Sequence, residues 1–177
     1  MKRITTLVLF SLSMLFAAVS VQAATVTFTS TINGSNAGTG SAATGTALMS
    51  FDDMTNLFDL SINVIGLTKT TLTNSHIHLG ASGVNGVFIF GLGAGSSPNW
   101  TNTATGMSLA LTGQTFPAAN VAALLAGNTY LNLHTAAFPA GAIRGQLTAV
   151  PVPAAAWLLG SGLIGLVAAS RKKAARS

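Results

Sequence analysis

The chain of 177 residues contains no cysteine and no glutamate, and only 6% of its residues are charged. The absence of cysteine excludes disulfides and a thiol nucleophile. The only carboxylates are Asp52, Asp53 and Asp59, which lie in one short segment, whereas a glycosidase needs two carboxyl groups across a cleft. The sequence also lacks a Gly-x-Ser-x-Gly nucleophile elbow and a phosphate-binding loop with its lysine. We therefore expect a protein that is not an enzyme.

The formal net charge is +5, but the basic residues are concentrated at the two ends of the chain. Lys2 and Arg3 stand at the start, and four more basic residues follow position 170. Between the ends, only Lys69 and Arg144 are basic, against three aspartates. A surface that binds phosphate groups requires clustered lysine and arginine. The distribution therefore excludes nucleic acid as a partner.

The first 23 residues have the three-part pattern of a secretory signal peptide. A basic start, Met1-Lys-Arg, precedes an apolar run over residues 7–19, and small residues follow up to Ala23. We predict that residues 1–23 form a signal helix, which is cleaved after Ala23 when the secretion machinery exports the chain.

Residues 150–177 combine a proline motif, an uncharged apolar stretch and a basic tail. The apolar stretch, residues 154–170, is near the lower length limit for a transmembrane helix. Basic residues after such a helix remain on the cytoplasmic side, which leaves the preceding domain outside. The residues that define this pattern are Val150, Pro151, Pro153, Trp157, Arg171, Lys172 and Lys173.

The order Val-Pro-Val-Pro, then Trp-Leu-Leu-Gly-Ser-Gly-Leu-Ile-Gly-Leu, then Arg-Lys-Lys closely resembles the PEP-CTERM sorting signal of Gram-negative bacteria. The family's usual glutamate between the two prolines is Val152 here. In that family the tail is the target of an exosortase, a membrane transpeptidase. The resemblance implies a membrane-anchored intermediate, processing by an exosortase, and a final location at the cell surface or in a biofilm matrix that contains extracellular polysaccharide.

Residues 24–149 are long enough for one hydrophobic core and show the period-two alternation of short strands. In the clearest strand, one face carries Phe58, Leu60, Ile62 and Val64. We also predict a short helix at 118–125 and a surface loop at 34–46, and residues 86–90 are expected at the centre of a sheet because both faces are apolar. The predicted strands are 25–32, 44–51, 58–64, 75–79, 86–90, 106–111, 129–135 and 142–149. This pattern indicates an all-β antiparallel sandwich or barrel.

The three histidines are the strongest candidates for a site. His76 and His78 are two residues apart on a predicted strand, so both side chains point to the same face, with Cα atoms roughly 6.6 Å apart. His134 lies on the outward face of another predicted strand. If the two strands are neighbours, the three imidazoles can bind Zn or Cu, with Asn132 or Thr135 orienting them. The alternative is a hydrogen-bonded structural cluster that holds no cofactor.

Arg144 is one of two basic side chains in residues 24–149 and lies on a predicted strand. One interpretation is a buried hydrogen-bond network, because the guanidinium donates in several fixed directions. The other is the binding of a carboxylate or of an anionic polysaccharide. The sequence favours the buried network.

Two segments of the middle region resemble the CHRD domain, the repeat named after chordin. The first contains Asp53-Met-Thr-Asn-Leu-Phe and His76-Ile-His-Leu-Gly, and the second runs from Tyr130-Leu-Asn-Leu-His-Thr to Gly-Ala-Ile-Arg-Gly-Gln. The resemblance covers residues 25–149. It implies an immunoglobulin-like β-barrel with limited similarity to Cu,Zn superoxide dismutases, and it brings no established catalytic residues.

Two hypotheses about function follow from these patterns. The first is an exported β domain with a structural or binding role among extracellular polymers, without enzymatic activity. The alternative is a metal-binding protein or a metal-dependent oxidoreductase that uses His76, His78 and His134.

Overall fold

A computed structural model describes residues 25–151, which form ten antiparallel strands, two short helices and one 3₁₀ turn. The strands are β1 (Thr25–Asn33), β2 (Thr44–Asp52), β3 (Leu57–Ile65), β4 (Leu72–Leu79), β5 (Phe88–Gly91), β6 (Trp100–Asn102), β7 (Gly106–Thr115), β8 (Thr129–Thr135), β9 (Ile143–Gln146) and β10 (Thr148–Ala149). The helices are α1 (Gly34–Ala37) and α2 (Val121–Leu125), and the 3₁₀ turn is Ala118–Asn120.

The ten strands belong to one sheet in the order β5-β4-β8-β9-β1-β2-β3-β7-β6, with β10 beside β1. This sheet curls into a half-barrel, so strands from its two ends meet across the core. Phe58 of β3 packs edge-on against Phe90 of β5, with ring centroids 5.1 Å apart. The Trp100 indole on β6 donates a hydrogen bond to the Ser75 hydroxyl on β4, at 3.2 Å. The predicted all-β antiparallel architecture is confirmed.

The inner face of the curled sheet holds the hydrophobic core. The alternation predicted for β3 is confirmed, since every second side chain from Phe58 to Val64 is buried and those between are exposed. Phe116, just after β7, packs edge-on against the rings of Phe51 and Phe58 at centroid distances of 6.0 and 5.9 Å. Each large apolar side chain buried in this way contributes about 1.5–3 kcal/mol of transfer free energy. Packing of this kind stabilises the fold without disulfides.

Strands β8 and β9 are covered on both faces, and the outward-facing His76 and His78 of the neighbouring β4 are partly buried. Their inner side chains join the core, and their outer face carries Tyr130, Asn132 and Arg144, which are only 2%, 6% and 6% exposed. Two connecting segments cover this outer face: residues 80–87, here the 80–87 loop, and residues 136–142, here the 136–142 loop. The histidines lie on the same face.

The central position predicted for strand 86–90 is wrong. β5 lies at the edge of the sheet, and Val87 and Phe88 are 67% and 58% exposed. The two faces of β5 have different surroundings. Phe90 packs into the core, whereas the Phe88 ring lies on the outer face, 5.0 Å from the His76 ring. An apolar run therefore marked a strand correctly but not its place in the sheet.

Three local features also differ from the sequence-based expectation. The predicted strand 142–149 is divided into β9 and β10, and the three-residue β6 was not predicted. The predicted loop 34–46 contains α1, because the Asn33 side chain accepts a hydrogen bond from the Asn36 backbone N–H and so caps a short helix. β2 begins at Thr44, as predicted for strand 44–51, so the predicted loop ends earlier than residue 46.

The described chain ends beside its own beginning. β10 pairs with β1, and the Val150 backbone N–H donates to the Thr27 carbonyl oxygen at 2.8 Å. Val150 and Pro151 are exposed. The predicted signal and transmembrane helices lie outside the described residues, as do Ala23, Pro153, Trp157, Arg171, Lys172 and Lys173. Within residues 25–151, no helix reaches the length and hydropathy needed to cross a membrane.

Candidate metal centre

The register of three strands brings the histidines together on one outer face. β4 pairs with β8, so the condition for convergence is met: His76 lies opposite Asn132, His78 opposite Tyr130, and Asn74 opposite His134. His134 is two residues along β8 from Asn132 and therefore shares its face. Ile77, between the two β4 histidines, points inward and is fully buried.

The three imidazoles are close enough to share one ion. His76 Nδ1 lies 3.3 Å from His134 Nε2. One potential ligand nitrogen from each of the three residues lies within 4.8 Å of the others, and all three side chains are partly buried. Two nitrogens that bind zinc at 2.0–2.1 Å in a tetrahedral site are about 3.3 Å apart. The His76–His134 pair already has this spacing, and one nitrogen of His78 lies within 4.8 Å of both partners.

Backbone carbonyls fix the protonation of two of the rings. His134 Nδ1 lies 2.9 Å from the Pro139 carbonyl oxygen, and His78 Nδ1 lies 3.0 Å from the Gly86 carbonyl oxygen. Because a carbonyl oxygen can only accept, each Nδ1 carries the proton and donates it, and each Nε2 keeps a lone pair. This is the form in which histidine binds metals.

The Nε2 atom of His78 is buried and has no hydrogen-bond partner within residues 25–151. Since its ring donates through Nδ1, this nitrogen is an acceptor without a donor. Most buried polar side-chain atoms in proteins are hydrogen-bonded, so such an atom requires an explanation. A metal ion is one group that would satisfy it.

The surroundings keep two of the histidines neutral. Burial is the main cause that lowers the pKa of His76 below its ordinary value of 6.5, and the neighbouring His134 and His78 lower it further. Burial also lowers the pKa of His78, and the charges of His134 and Arg144 act in the same direction, although the Gly86 carbonyl opposes them. Neutral imidazole is favoured at neutral pH, so protons compete weakly for the nitrogens that would bind a metal.

The 80–87 loop is held in place by Arg144 and Tyr130. Arg144 donates from Nη1 to Asn85 Oδ1 at 3.0 Å and from Nη2 to the Val84 carbonyl oxygen at 2.7 Å. Its guanidinium carbon lies 3.8 Å from the Tyr130 ring centroid, and the Tyr130 hydroxyl accepts from the Gly86 N–H at 3.0 Å. Arg144 therefore lies in a buried network, the first of its two interpretations.

The same network reaches the imidazole of His78. The Tyr130 ring stacks on the His78 ring with centroids 5.2 Å apart and planes 16° from parallel. Gly86 lies where a Cβ would overlap the Leu79 carbonyl oxygen, so only glycine allows the loop to approach β4 this closely. The carbonyl of Gly86 is thereby placed to accept from His78.

Asn132 and Thr135 were predicted to orient the imidazoles directly, but their hydrogen bonds go to the backbone of the 136–142 loop. The Asn132 amide donates to the Ala140 carbonyl oxygen at 3.1 Å, and the Thr135 hydroxyl accepts from the Phe138 N–H at 3.2 Å. Both bonds hold the 136–142 loop, which carries the Pro139 carbonyl that orients His134. Their influence on the histidine is therefore indirect.

Sequence reasoning missed the groups that orient the rings. The Gly86 and Pro139 carbonyls belong to the backbone, so the residue types at these positions do not indicate their role. Glycines at positions 80, 83 and 86 are typical of a tight loop, but residue 86 was predicted to begin a strand, and the sequence does not show what such a loop would cover. Phe88, whose ring lies against His76, was read only as part of a buried strand.

Comparison with curated proteins and with solved structures gave no significant match. A family model does match, and it covers residues 28–147, which include every strand of the covered face and all three histidines. The matched segment is more than half of the chain. The chain belongs to the CHRD domain family.

Proposed function

We propose that this protein is an exported metal-binding domain in which His76, His78 and His134 bind one Zn(II) or Cu(II) ion. The observation that carries the proposal is the buried, unpartnered Nε2 of His78. Its imidazole belongs to a group of three in which one nitrogen from each ring lies within 4.8 Å of the others. A ligand set of three imidazoles suits these two metals.

A purely structural cluster accounts for less of this geometry. The 3.3 Å contact between His76 and His134 is also compatible with one hydrogen bond. That bond would satisfy one nitrogen of each ring but would leave His78 Nε2 unpaired at a cost of about 1–3 kcal/mol. A shared metal ion satisfies all three rings at once.

A metal-dependent oxidoreductase is the second candidate. Three protein ligands leave a fourth coordination position open, which is the arrangement of catalytic zinc sites rather than closed structural ones. The group of potential ligands contains histidines and no carboxylate, and the three carboxylates of the chain lie on β2, β3 and the hairpin between them. We therefore propose binding as the primary role and redox activity as the alternative, to be tested on the copper-loaded protein.

Metal binding is tested on the purified protein after removal of bound metals. We expect one equivalent of Zn(II) or Cu(II) to bind, and His78→Ala to lose this stoichiometric binding. Asp59→Asn is the matched control, because it removes a carboxylate on β3 whose Oδ1 accepts from the Gly113 N–H, a bond that asparagine can keep. No binding by the unsubstituted protein, or equal binding by His78→Ala, would refute the proposal.

The proposed location follows from the family and from the chain ends. CHRD domains are β domains of extracellular and secreted proteins. We propose that residues 1–23 direct export and that residues 150–177 act as a PEP-CTERM-type signal. The chain would pass through a membrane-anchored intermediate, be processed by an exosortase, and reach the cell surface or biofilm matrix.

Processing is tested by following the mass of the chain in a host with the exosortase and in the same host without it. We expect loss of the C-terminal tail only where the exosortase is present. A tail of equal length in both hosts would contradict processing and leave simple membrane anchoring.

A further inference from the structure

The three candidate ligands are neutral, so a bound divalent ion would keep its full charge. Imidazole nitrogens contribute no negative charge, and within residues 25–151 no carboxylate is among the groups that shift the pKa of His76 or His78. The three carboxylates of the chain lie at Asp52, Asp53 and Asp59, on β2, β3 and the hairpin between them. β9 and β1 separate these strands from β4 and β8 in the sheet.

Arg144 adds a positive charge near the site, because its guanidinium stacks on the Tyr130 ring, which in turn stacks on His78. Its guanidinium is 6% exposed and already donates to Asn85 and to the Val84 carbonyl oxygen. It therefore raises the local positive potential while its position stays fixed. An anion in the open coordination position would be attracted by both charges in a partly buried place, where water screens them less than at an open surface.

The rim of the site is apolar on one side. Phe88 is 58% exposed, and its ring lies 5.0 Å from the His76 ring. An exposed aromatic ring beside a charged centre offers a surface for the C–H face of a pyranose ring. A ligand that combines a carboxylate with a sugar ring fits both features.

We infer that the metal-loaded centre binds a carboxylate as its fourth ligand, and that the carboxylate is one carried by a uronic acid. This inference rests on the metal-binding function proposed above. Carboxylate oxygens are normal zinc ligands at about 2.0–2.2 Å, and one such oxygen completes a tetrahedral site with three imidazoles. The uronate can come from a free sugar acid or from an acidic polysaccharide.

The experiment uses the purified protein loaded with Co(II), whose visible absorption reports its ligands. We expect acetate and galacturonate to change the spectrum saturably, and galactose, which has no carboxylate, to leave it unchanged. Galacturonate should bind at least several-fold more tightly than acetate, because its ring contacts Phe88. Polygalacturonate should bind more tightly again if the polymer is the source, because neighbouring uronates raise the effective concentration.

Two variants separate this binding from general attraction to positive charge. Phe88→Ala is expected to reduce the affinity for galacturonate to that for acetate. Lys69→Gln removes the other basic side chain of residues 25–151 and is expected to change neither affinity. Polymer binding that does not need the metal, or that Lys69→Gln abolishes, would overturn the inference.

The failures of the two proposals are distinguishable. If Co(II), Zn(II) and Cu(II) do not bind with the stoichiometry stated above, the metal-binding function fails and the uronate site fails with it. If Co(II) binds but no carboxylate changes its spectrum, the metal-binding function stands and the carboxylate ligand is refuted. If acetate and galacturonate bind equally to the unsubstituted protein, the sugar part of the inference is refuted.

Discussion

Side chains alternate between the two faces in both halves of the sheet, but the outer face is exposed in one half and covered by loops in the other. On β1, β2 and β3 the outer residues are exposed, and hydroxyl groups such as those of Thr29, Thr31 and Thr46 face water. On β4, β8 and β9 the outer residues lie beneath two loops, and these positions hold the histidines together with Arg144. Water satisfies polar groups in the first half, whereas protein groups must do so in the second.

This difference explains why the candidate site is in the covered half. Covering a polar face removes water from it, so most donors and acceptors there depend on protein partners in fixed directions. The carbonyl oxygens of Gly86 and Pro139 provide two such partners, and each holds one imidazole in a fixed orientation. The open half also carries polar side chains, but those such as Thr29, Thr31 and Thr46 are exposed and can be hydrated in several orientations.

The strongest way to break the covered half is Arg144→Ala. The change removes the stacking on Tyr130 and leaves the Val84 carbonyl without its donor, so we expect the free energy of unfolding to fall by about 3 kcal/mol. The measurement is urea denaturation of the metal-free protein. Arg144→Lys should restore part of this loss, because the charge remains but the forked geometry does not. A loss below about 0.5 kcal/mol, the range of surface substitutions, would mean that the loop does not depend on Arg144.

Tyr130→Phe is a smaller change, which tests whether the position of the 80–87 loop affects His78. It keeps the ring that stacks on His78 but removes the hydroxyl that accepts from the Gly86 N–H, so the loss of stability should be about 1 kcal/mol. Because the Gly86 carbonyl orients His78, we also expect metal affinity to fall several-fold. Titration with Zn(II) measures this effect, and unchanged affinity would show that the orientation of His78 is independent of the loop.

Acid should weaken the metal-free fold through the covered half. The pKa values of His76 and His78 are lowered in the folded state, chiefly by burial, so the unfolded chain binds protons more readily near its ordinary value of 6.5. The contribution of these groups to stability is therefore present above pH 6.5 and is lost as the pH falls through the lower folded-state values. Urea midpoints measured from pH 8 downwards test this sign. His78→Gln should show a shallower loss, and an identical slope in both proteins would contradict the prediction.

The smallest effect is expected in the open half. Thr46→Ala removes an exposed hydroxyl of β2 and should change the free energy of unfolding by no more than about 0.5 kcal/mol, with no change in metal affinity. The same urea and Zn(II) titrations apply. A loss comparable with that of Tyr130→Phe would mean that the two halves do not differ in the way described.

The sequence predicted features that rest on a repeated pattern of residues, but not those in which a single backbone carbonyl sets the orientation of a side chain. The alternation from Phe58 to Val64 predicted both the strand and its buried face. The spacing of His76 and His78 predicted a shared face, and only the position of β8 beside β4 had to be supplied by the fold.

The remaining features depend on contacts between distant segments. Residues 84–86 and Arg144 are about sixty positions apart in sequence, and nothing in either segment indicates their pairing. Asn132 and Thr135 were expected to orient imidazoles because their side chains are suitable, yet both bind the backbone of a nearby loop. Loop paths of this kind are set by packing rather than by local residue types.

The pairing of β10 with β1 determines how the domain responds to being pulled. Because these strands are antiparallel, the chain enters and leaves at the same end of the sheet, beside Thr27 and Val150. Tension applied between Thr25 and Pro151 would break the hydrogen bonds of the short β1–β10 pairing one after another, instead of loading all of them at the same time. A domain tethered at this corner would therefore give way first at the β1–β10 pairing, before the strands that carry the histidines.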